Sequence, residues 1–187
     1  MKLLPTPSQT VGPYLHVGLA CLTIDRLAPS DGAGQHVTIE GRVMDGDGQP
    51  VTDALIEIWQ ANADGKYAHP DDKQAAPLAP RFRGFGRIPT DAEGRYRFFT
   101  MKPGPVADPY GGHQAPHILV SVFMRGLLKR LVTRVYFPDE PRNANDCVLE
   151  LVPAERRSTL VARQIAPGKL EWNVILQGKN ETVFFDC

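Results

Sequence analysis

The chain has 187 residues, of which 42% are hydrophobic and 22% charged, and 21 basic residues balance 21 acidic ones. This composition is typical of one globular domain, and the zero net charge argues against a nucleic-acid-binding surface or a membrane-binding charged tail. No apolar run approaches the roughly 18 residues that predict a transmembrane helix. The cysteines are odd in number and far apart, which is neither a disulfide framework nor a zinc spacing, so we expect free thiols at Cys21, Cys147 and Cys187.

Residues 1–34 are rich in Pro and Gly and show little periodicity. We interpret them as an N-terminal arm with one short helical turn at residues 17–21. Such an arm is either disordered or laid across a partner chain. Residues 1–13 lack the apolar core of a secretion signal, so the sequence favours a cytoplasmic protein. Residues 35–187 are predicted to form the folded domain.

From His36 onward the pattern changes to a period of two, which describes a half-buried strand. Turn signals such as Asp-Gly and Pro-Gly separate further predicted strands at residues 54–60, 95–101, 118–123, 131–137, 170–177 and 182–185. A long polar loop is predicted up to about residue 87, and a short helix at residues 155–162. About seven short strands with little helix predict an all-β fold, a β-sandwich of antiparallel strands with long loops.

Few residues suggest chemistry by themselves. Tyr67 follows a turn and His117 begins a strand, and a tyrosinate with an imidazole would suit a ferric ion. The alternative is an ordinary surface tyrosine and a histidine that satisfies a local hydrogen bond. Arg125, on a turn, is either a solvated residue or a fork for a carboxylate. Arg134 lies in an apolar strand, which predicts an ionic partner, and Tyr14 could anchor the arm.

Three places in the chain resemble the intradiol ring-cleaving dioxygenases: residues 55–67, then residues 85–87 with 90–96 and 102–105, and finally residues 115–118 with 131–137. The first reads LIEIWQANADGKY and ends on the tyrosine that matches the family's first iron-ligating tyrosine. The resemblance extends from about residue 7 to residue 185. It implies a β-sandwich and cleavage of an aromatic ring by O2 at a ferric ion held by two tyrosines and two histidines.

The departures from this pattern fall on the metal ligands. Tyr67 and His117 match the first tyrosine and one histidine, whereas Val106 and Leu119 stand at the other two positions. Aliphatic carbons cannot coordinate Fe(III), and two protein ligands would hold an ion only loosely. The resemblance therefore implies that this chain binds no metal and that Tyr67 and His117 are vestigial. Tyr110, four residues after Val106, would not repair the loss at Leu119.

Two further replacements accompany the lost ligands. Gln114 stands where the family has an arginine, and Arg134 stands where it has a glutamine. This pattern resembles the non-iron, alpha-type chains of family members that cleave protocatechuate to 3-carboxy-cis,cis-muconate. The resemblance implies an iron-bearing, paralogous beta-type partner that holds the Fe(III), and an isolated chain that is inactive.

By position, the same resemblance implies that Thr10, Tyr14 and Arg125 border the partner's substrate pocket. Arg125 would then attract or clamp the carboxylate of the substrate. Two alternatives stay open from the sequence. Residues 41–51 also resemble small β-sandwich binding or adhesion modules without catalytic partners, although such modules more often carry a secretion signal. A self-sufficient dioxygenase with altered ligands is the other alternative.

Overall fold

The computed structural model describes residues 4–30, 32, 34–75, 78 and 80–186. One α-helix, α1 (Pro13–Leu19), precedes a 3-10 turn at Ala20–Leu22. The described strands are β1 (His36–Met44), β2 (Leu55–Trp59), β3 (Phe85–Pro89), β4 (Arg95–Met101), β5 (Val106–Ala107), β6 (His113–Gln114), β7 (His117–Phe123), β8 (Leu131–Tyr136), β9 (Arg163–Ala166), β10 (Lys169–Glu171) and β11 (Val174–Ile175). Further 3-10 segments lie at Pro141–Asn145, Leu149–Leu151 and Ala154–Leu160.

Two sheets form the body of the fold. In the first, the nine-residue strand β1 pairs with β4 on one side and with β10 and β11 on the other. Strand β9 pairs with the free edge of β10. The second is antiparallel and has the order β3-β2-β7-β8. The expected all-β fold is confirmed. One detail differs, because β10 and β11 run parallel to β1 rather than antiparallel. They come from the distant end of the chain, so no hairpin dictates their direction.

The core lies between the two sheets and follows from strand alternation. In β1 the buried residues recur at every second position, including Val37, Ile39 and Val43. In β7 the buried Ile118 and Val120 alternate with half-buried residues in the same way. Both strands therefore place one row of side chains in a shared core and leave the other row on an outer face.

Close contact between β1 and the segment after β10 closes one edge of the core. A Cβ added at Gly41 would lie 1.7 Å from the Trp172 carbonyl oxygen, so only glycine fits there. The same carbonyl accepts a hydrogen bond from the buried Tyr96 hydroxyl at 2.6 Å. Backbone and side chain thus hold Trp172 against both β1 and β4.

Some sequence-based predictions of the elements were wrong. The strand predicted at residues 170–177 is divided into β10 and β11, because the side chain of Asn173 accepts the Arg42 N–H where a ladder bond would lie. No strand forms over residues 182–185, where Phe185 makes a single bridge to Val132. The helix predicted at residues 155–162 is the 3-10 segment Ala154–Leu160. The predicted long loop ends in β3, which pairs with β2.

The proposed division into an arm at residues 1–34 and a domain at residues 35–187 stays a prediction. Within the arm, α1 begins earlier than the predicted turn at residues 17–21. Ile24 exchanges backbone hydrogen bonds with Arg87, and Leu27 is fully buried. Residues 24–27 thus bond to the sandwich, whereas Leu4, Tyr14 and Val17 are highly exposed.

Cys21 and Cys147 are free thiols, as expected, and Cys187 lies outside the described residues. None of the helices in the described ranges is long and apolar enough to cross a membrane.

Candidate functional site

The outer face of the second sheet carries the residues that the resemblance singles out. Trp59 of β2, Leu119 of β7 and Arg134 of β8 lie opposite one another on three adjacent strands. Two residues along, His117 lies opposite Tyr136. Since side chains alternate along a strand, these five residues share the face opposite the core that lies between the two sheets. At the His117 end this face is itself covered, because Tyr136 packs in a second buried cluster with Leu149 and Leu160.

Tyr67 reaches this face through a turn organised by Asn62. The Asn62 side-chain oxygen accepts the backbone N–H groups of Asp64 and Lys66 at 3.0 and 2.8 Å. The Tyr67 ring then stacks on Trp59, with ring centroids 5.9 Å apart and planes 5° apart. Burial raises the pKa of the Tyr67 hydroxyl above its usual value, which the nearby Arg134 partly offsets. Tyr67 is therefore a neutral phenol at neutral pH.

His117 is buried at the start of β7 and is also neutral. Its Nδ1 lies 2.8 Å from the carbonyl oxygen of Ala115, to which it donates a hydrogen bond. The imidazole lies beside the Tyr136 ring, with centroids 5.7 Å apart. Burial, reinforced by the positive charge of Arg134, lowers the pKa of His117 to about 4. The histidine thus satisfies a local hydrogen bond, as the simpler of the two sequence interpretations predicted.

Arg134 lies among these residues and points toward the β5–β6 hairpin. Its Nη1 donates to the side-chain oxygen of Gln114 at 2.7 Å and lies 3.5 Å from the Tyr136 hydroxyl. Gln114 in turn pairs with Val106 across the hairpin. The prediction of an ionic partner for Arg134 is wrong, because the hydrogen-bond partners of Arg134 in the described part of the chain are neutral. A neutral amide and a phenol satisfy the guanidinium here.

The ligand set of the family does not fit a ferric ion in this chain. We refer to Tyr67, Val106, His117 and Leu119 as the four ligand positions. Two of them are aliphatic, and Arg134 brings a positive charge onto the same face. Among the described residues, no group of three or more His, Cys, Asp and Glu side chains could hold a metal ion. The arrangement offers two possible donors, a buried imidazole and a phenol that would have to lose its proton to bind Fe(III).

A second group of predicted residues lies at the other end of β7. The backbone N–H of Gly126 donates to the Thr10 hydroxyl at 2.8 Å, and Arg125 forms an ion pair with Asp53. The structure therefore brings Thr10 and the Arg125 turn together within one chain. Tyr14 lies on α1 with 84% of its surface exposed. The roles of Thr10, Tyr14 and Arg125 at a partner interface stay predictions.

The two groups are well separated. His117 begins β7, whereas Arg125 follows its last residue, Phe123. At a rise of about 3.3 Å per residue, the six steps from His117 to Phe123 alone span roughly 20 Å, and Arg125 lies two residues beyond. A substrate held near Arg125 would therefore lie far from the four ligand positions of the same chain.

Two relevant residues were missed by the sequence analysis. Asp53 was overlooked, although the pairing of β2 with β7 aligns Leu55 with Phe123 and hence brings Asp53 toward Arg125. Trp59 was recognised as part of a motif but not as the platform for Tyr67. The register of β2 against β7 is the signal that would have identified Asp53. The sequence does not show this register, because it does not show which two strands pair.

The chain matches the family model described as Dioxygenase over residues 12–178. It is 44% identical to the protocatechuate 3,4-dioxygenase alpha chain of Burkholderia cepacia, over 97% of this chain and 96% of that protein. It is 41% identical to the alpha chain of Pseudomonas putida, over 100% and 98% of the two chains. The beta chain of B. cepacia is 39% identical over 94% of this chain and 77% of its own length.

Solved structures agree with these sequence relationships. The dioxygenase domain of a dioxygenase carbohydrate-binding protein fusion from Streptomyces sp. SirexAA-E superposes with a TM-score of 0.63 at 26% identity, covering 86% of this chain and 89% of that one. Relatives that include both alpha and beta chains point to a beta-type partner subunit. The expected resemblance to alpha-type chains is confirmed, and this chain belongs to the intradiol ring-cleaving dioxygenase family.

Proposed function

We propose that this chain is the non-iron alpha subunit of a hetero-oligomeric protocatechuate 3,4-dioxygenase. The complex inserts both atoms of O2 between the two hydroxylated carbons of protocatechuate and yields 3-carboxy-cis,cis-muconate. One observation carries the proposal: over an alpha-like sequence of nearly full length, two of the four ligand positions are Val106 and Leu119. The family is iron-dependent, so a chain that has lost half of its ligand set needs the iron of another subunit.

The partner beta chain would hold the Fe(III), which binds the catecholate and raises its reactivity toward O2. This chain would contribute scaffold, interface and one wall of the substrate pocket. Arg125 is the residue best suited to the substrate, because a guanidinium at the mouth of a pocket attracts a carboxylate and binds it with two parallel hydrogen bonds. Asp53 holds the Arg125 side chain on the turn in the free chain.

The arm supplies surface for the partner. Tyr14 is 84% exposed, Val17 68% and Leu22 52%, all within α1 and the 3-10 turn that follows it. Exposed apolar and aromatic side chains so close together are typical of a surface that a partner covers. We propose that residues 1–34 pack on the beta chain and bring Thr10 and Tyr14 to the border of its pocket. We also propose that the protein is cytoplasmic.

The proposal is tested by metal analysis and assay of the chain purified alone and together with an iron-bearing beta chain. The chain alone should contain no stoichiometric iron and should not consume O2 with protocatechuate. The mixture should be active, and the beta chain alone is the control that shows what this subunit adds. One tightly bound iron per chain, with a burgundy colour and activity in the absence of a partner, would instead establish a self-sufficient dioxygenase.

A non-catalytic adhesion module gains no support from the relatives, which are dioxygenase subunits.

A further inference from the structure

We infer that Arg134 is a built-in cation that lies among the four ligand positions and excludes a metal ion from them. The proposed function requires only that Val106 and Leu119 cannot bind iron. Arg134 is not itself at a ligand position, and a metal-excluding role for it goes beyond the proposed function. It rests on the residues of this chain alone and holds whichever partner the chain has.

The register of β7 and β8 places Arg134 beside the ligand positions on β7. Arg134 lies directly opposite Leu119, and its neighbour Tyr136 lies opposite His117. Directly opposite residues on one face have Cβ atoms about 5 Å apart, and diagonal neighbours about 7–8 Å apart. The base of the Arg134 side chain is therefore adjacent to one ligand position and diagonal to a second.

The guanidinium of Arg134 points toward the β5–β6 hairpin. Its Nη1 donates to Gln114 at 2.7 Å, and Gln114 is the residue paired with Val106 in the β5–β6 hairpin. The charged group thus spans from β8 to the hairpin that carries the third ligand position. The fourth, Tyr67, stacks on Trp59, which lies opposite Leu119 on the same face.

The Arg134 side chain carries a positive charge on the face that holds the ligand positions. It lies opposite Leu119, diagonal to His117, and its guanidinium reaches Gln114, the partner of Val106. A guanidinium stays protonated in proteins, cannot act as a ligand and repels a cation at close range. Its hydrogen-bond partners Gln114 and Tyr136 are uncharged, and among the described residues Arg134 forms no ion pair. The buried Asp146 carboxylate lies one hydrogen bond further, where it accepts from the Tyr136 hydroxyl at 3.0 Å. The guanidinium is therefore the charged group that lies directly beside the ligand positions on β7.

The experiment restores the ligands with and without the cation. The full chain is prepared in three forms: Val106→Tyr with Leu119→His, the same pair with Arg134→Gln, and the same pair with Arg134→Lys. Iron per chain is measured after Fe(III) loading, together with the tyrosinate-to-iron absorption that gives a burgundy colour. The Gln form should bind close to one iron per chain, about tenfold more than the form that keeps Arg134. The Lys form retains the charge and should bind as little as the form with Arg134.

Two results would overturn the inference: a Gln form that binds no more iron than the form with Arg134, or a Lys form that binds as much iron as the Gln form. Iron in the unmodified chain would overturn both the inference and the proposed function. An iron-free unmodified chain with equal iron in the forms with and without Arg134 would overturn the inference alone, so the two failures are distinguishable. A second pair of variants replaces only one apolar residue and is therefore less prone to misfold. Leu119→His, with and without Arg134→Gln, is titrated with Co2+, and equal affinities in this pair would also overturn the inference.

Discussion

The backbone N–H of Gly126 donates to the hydroxyl of Thr10 at 2.8 Å and so joins two segments that are 116 residues apart in the chain. Gly126 has a φ of 88°, a conformation that glycine adopts without strain. Arg125 precedes it and forms an ion pair with Asp53. The arm and the turn after β7 therefore form one structural unit before any partner binds.

Removing the Thr10 hydroxyl should loosen this unit. Thr10→Val keeps the shape of the side chain but leaves Gly126 N–H without its acceptor, a loss of about 1 kcal/mol for an ordinary hydrogen bond. We expect about fivefold faster hydrogen exchange of the Gly126 amide in the variant. Thr10→Ser retains the acceptor and is the matched control. Unchanged exchange in the Val variant would show that the bond contributes nothing.

Replacement of Arg125 should affect substrates according to their charge. In the assembled complex, Arg125→Ala should raise the KM for protocatechuate about tenfold, as expected for loss of a charged hydrogen bond at a partly exposed site. A catechol without the carboxylate should be nearly unaffected. Arg163→Ala removes another exposed arginine that pairs with a carboxylate, that of Glu171, and is the control. Equal effects of Arg125→Ala on both substrates would rule out a role in carboxylate binding.

Stability should fall as the pH drops below neutrality because of His117. Its pKa in the folded chain is about 4, below the usual 6.5, so the unfolded chain takes up the proton first. The contribution of neutral His117 to the free energy of unfolding is therefore present above about pH 6.5 and is lost between pH 6.5 and pH 4. We expect a loss of about 2 kcal/mol between pH 7 and pH 5, measured as the free energy of unfolding in urea. His117→Gln should lack this part of the slope, and an identical slope in both proteins would contradict the assignment.

The contacts of Trp172 should matter to the stability of the sandwich. Tyr96→Phe removes the buried donor to the Trp172 carbonyl and should cost about 1–2 kcal/mol in the free energy of unfolding. Gly41→Ala should cost more, because its Cβ would lie 1.7 Å from the same oxygen. Tyr110→Phe, at a tyrosine that is 88% exposed, is the control and should change little. A Tyr96 variant as stable as the Tyr110 variant would refute the prediction.

The sequence predicted best those strands whose pattern is local. Alternation identified β1, and the turn signals on either side of it identified β4, and both strands have one buried and one outer face. β3 was not predicted, since its residues Phe85–Pro89 become a strand only by pairing with β2. The segment at residues 170–177 looked continuous, but Asn173 interrupts the ladder by accepting the Arg42 N–H.

The sequence by itself determined the family of this protein. It also showed that aliphatic residues, Val106 and Leu119, stand where the resemblance predicts metal ligands, because the atoms that a residue carries depend on the sequence alone. Only the tertiary structure decided where the charges lie. Arg134 turned out to bond to a neutral amide rather than to a carboxylate, and Arg125 to pair with Asp53. Such pairings depend on strand register and on the path of loops, which bring together residues that no local pattern connects.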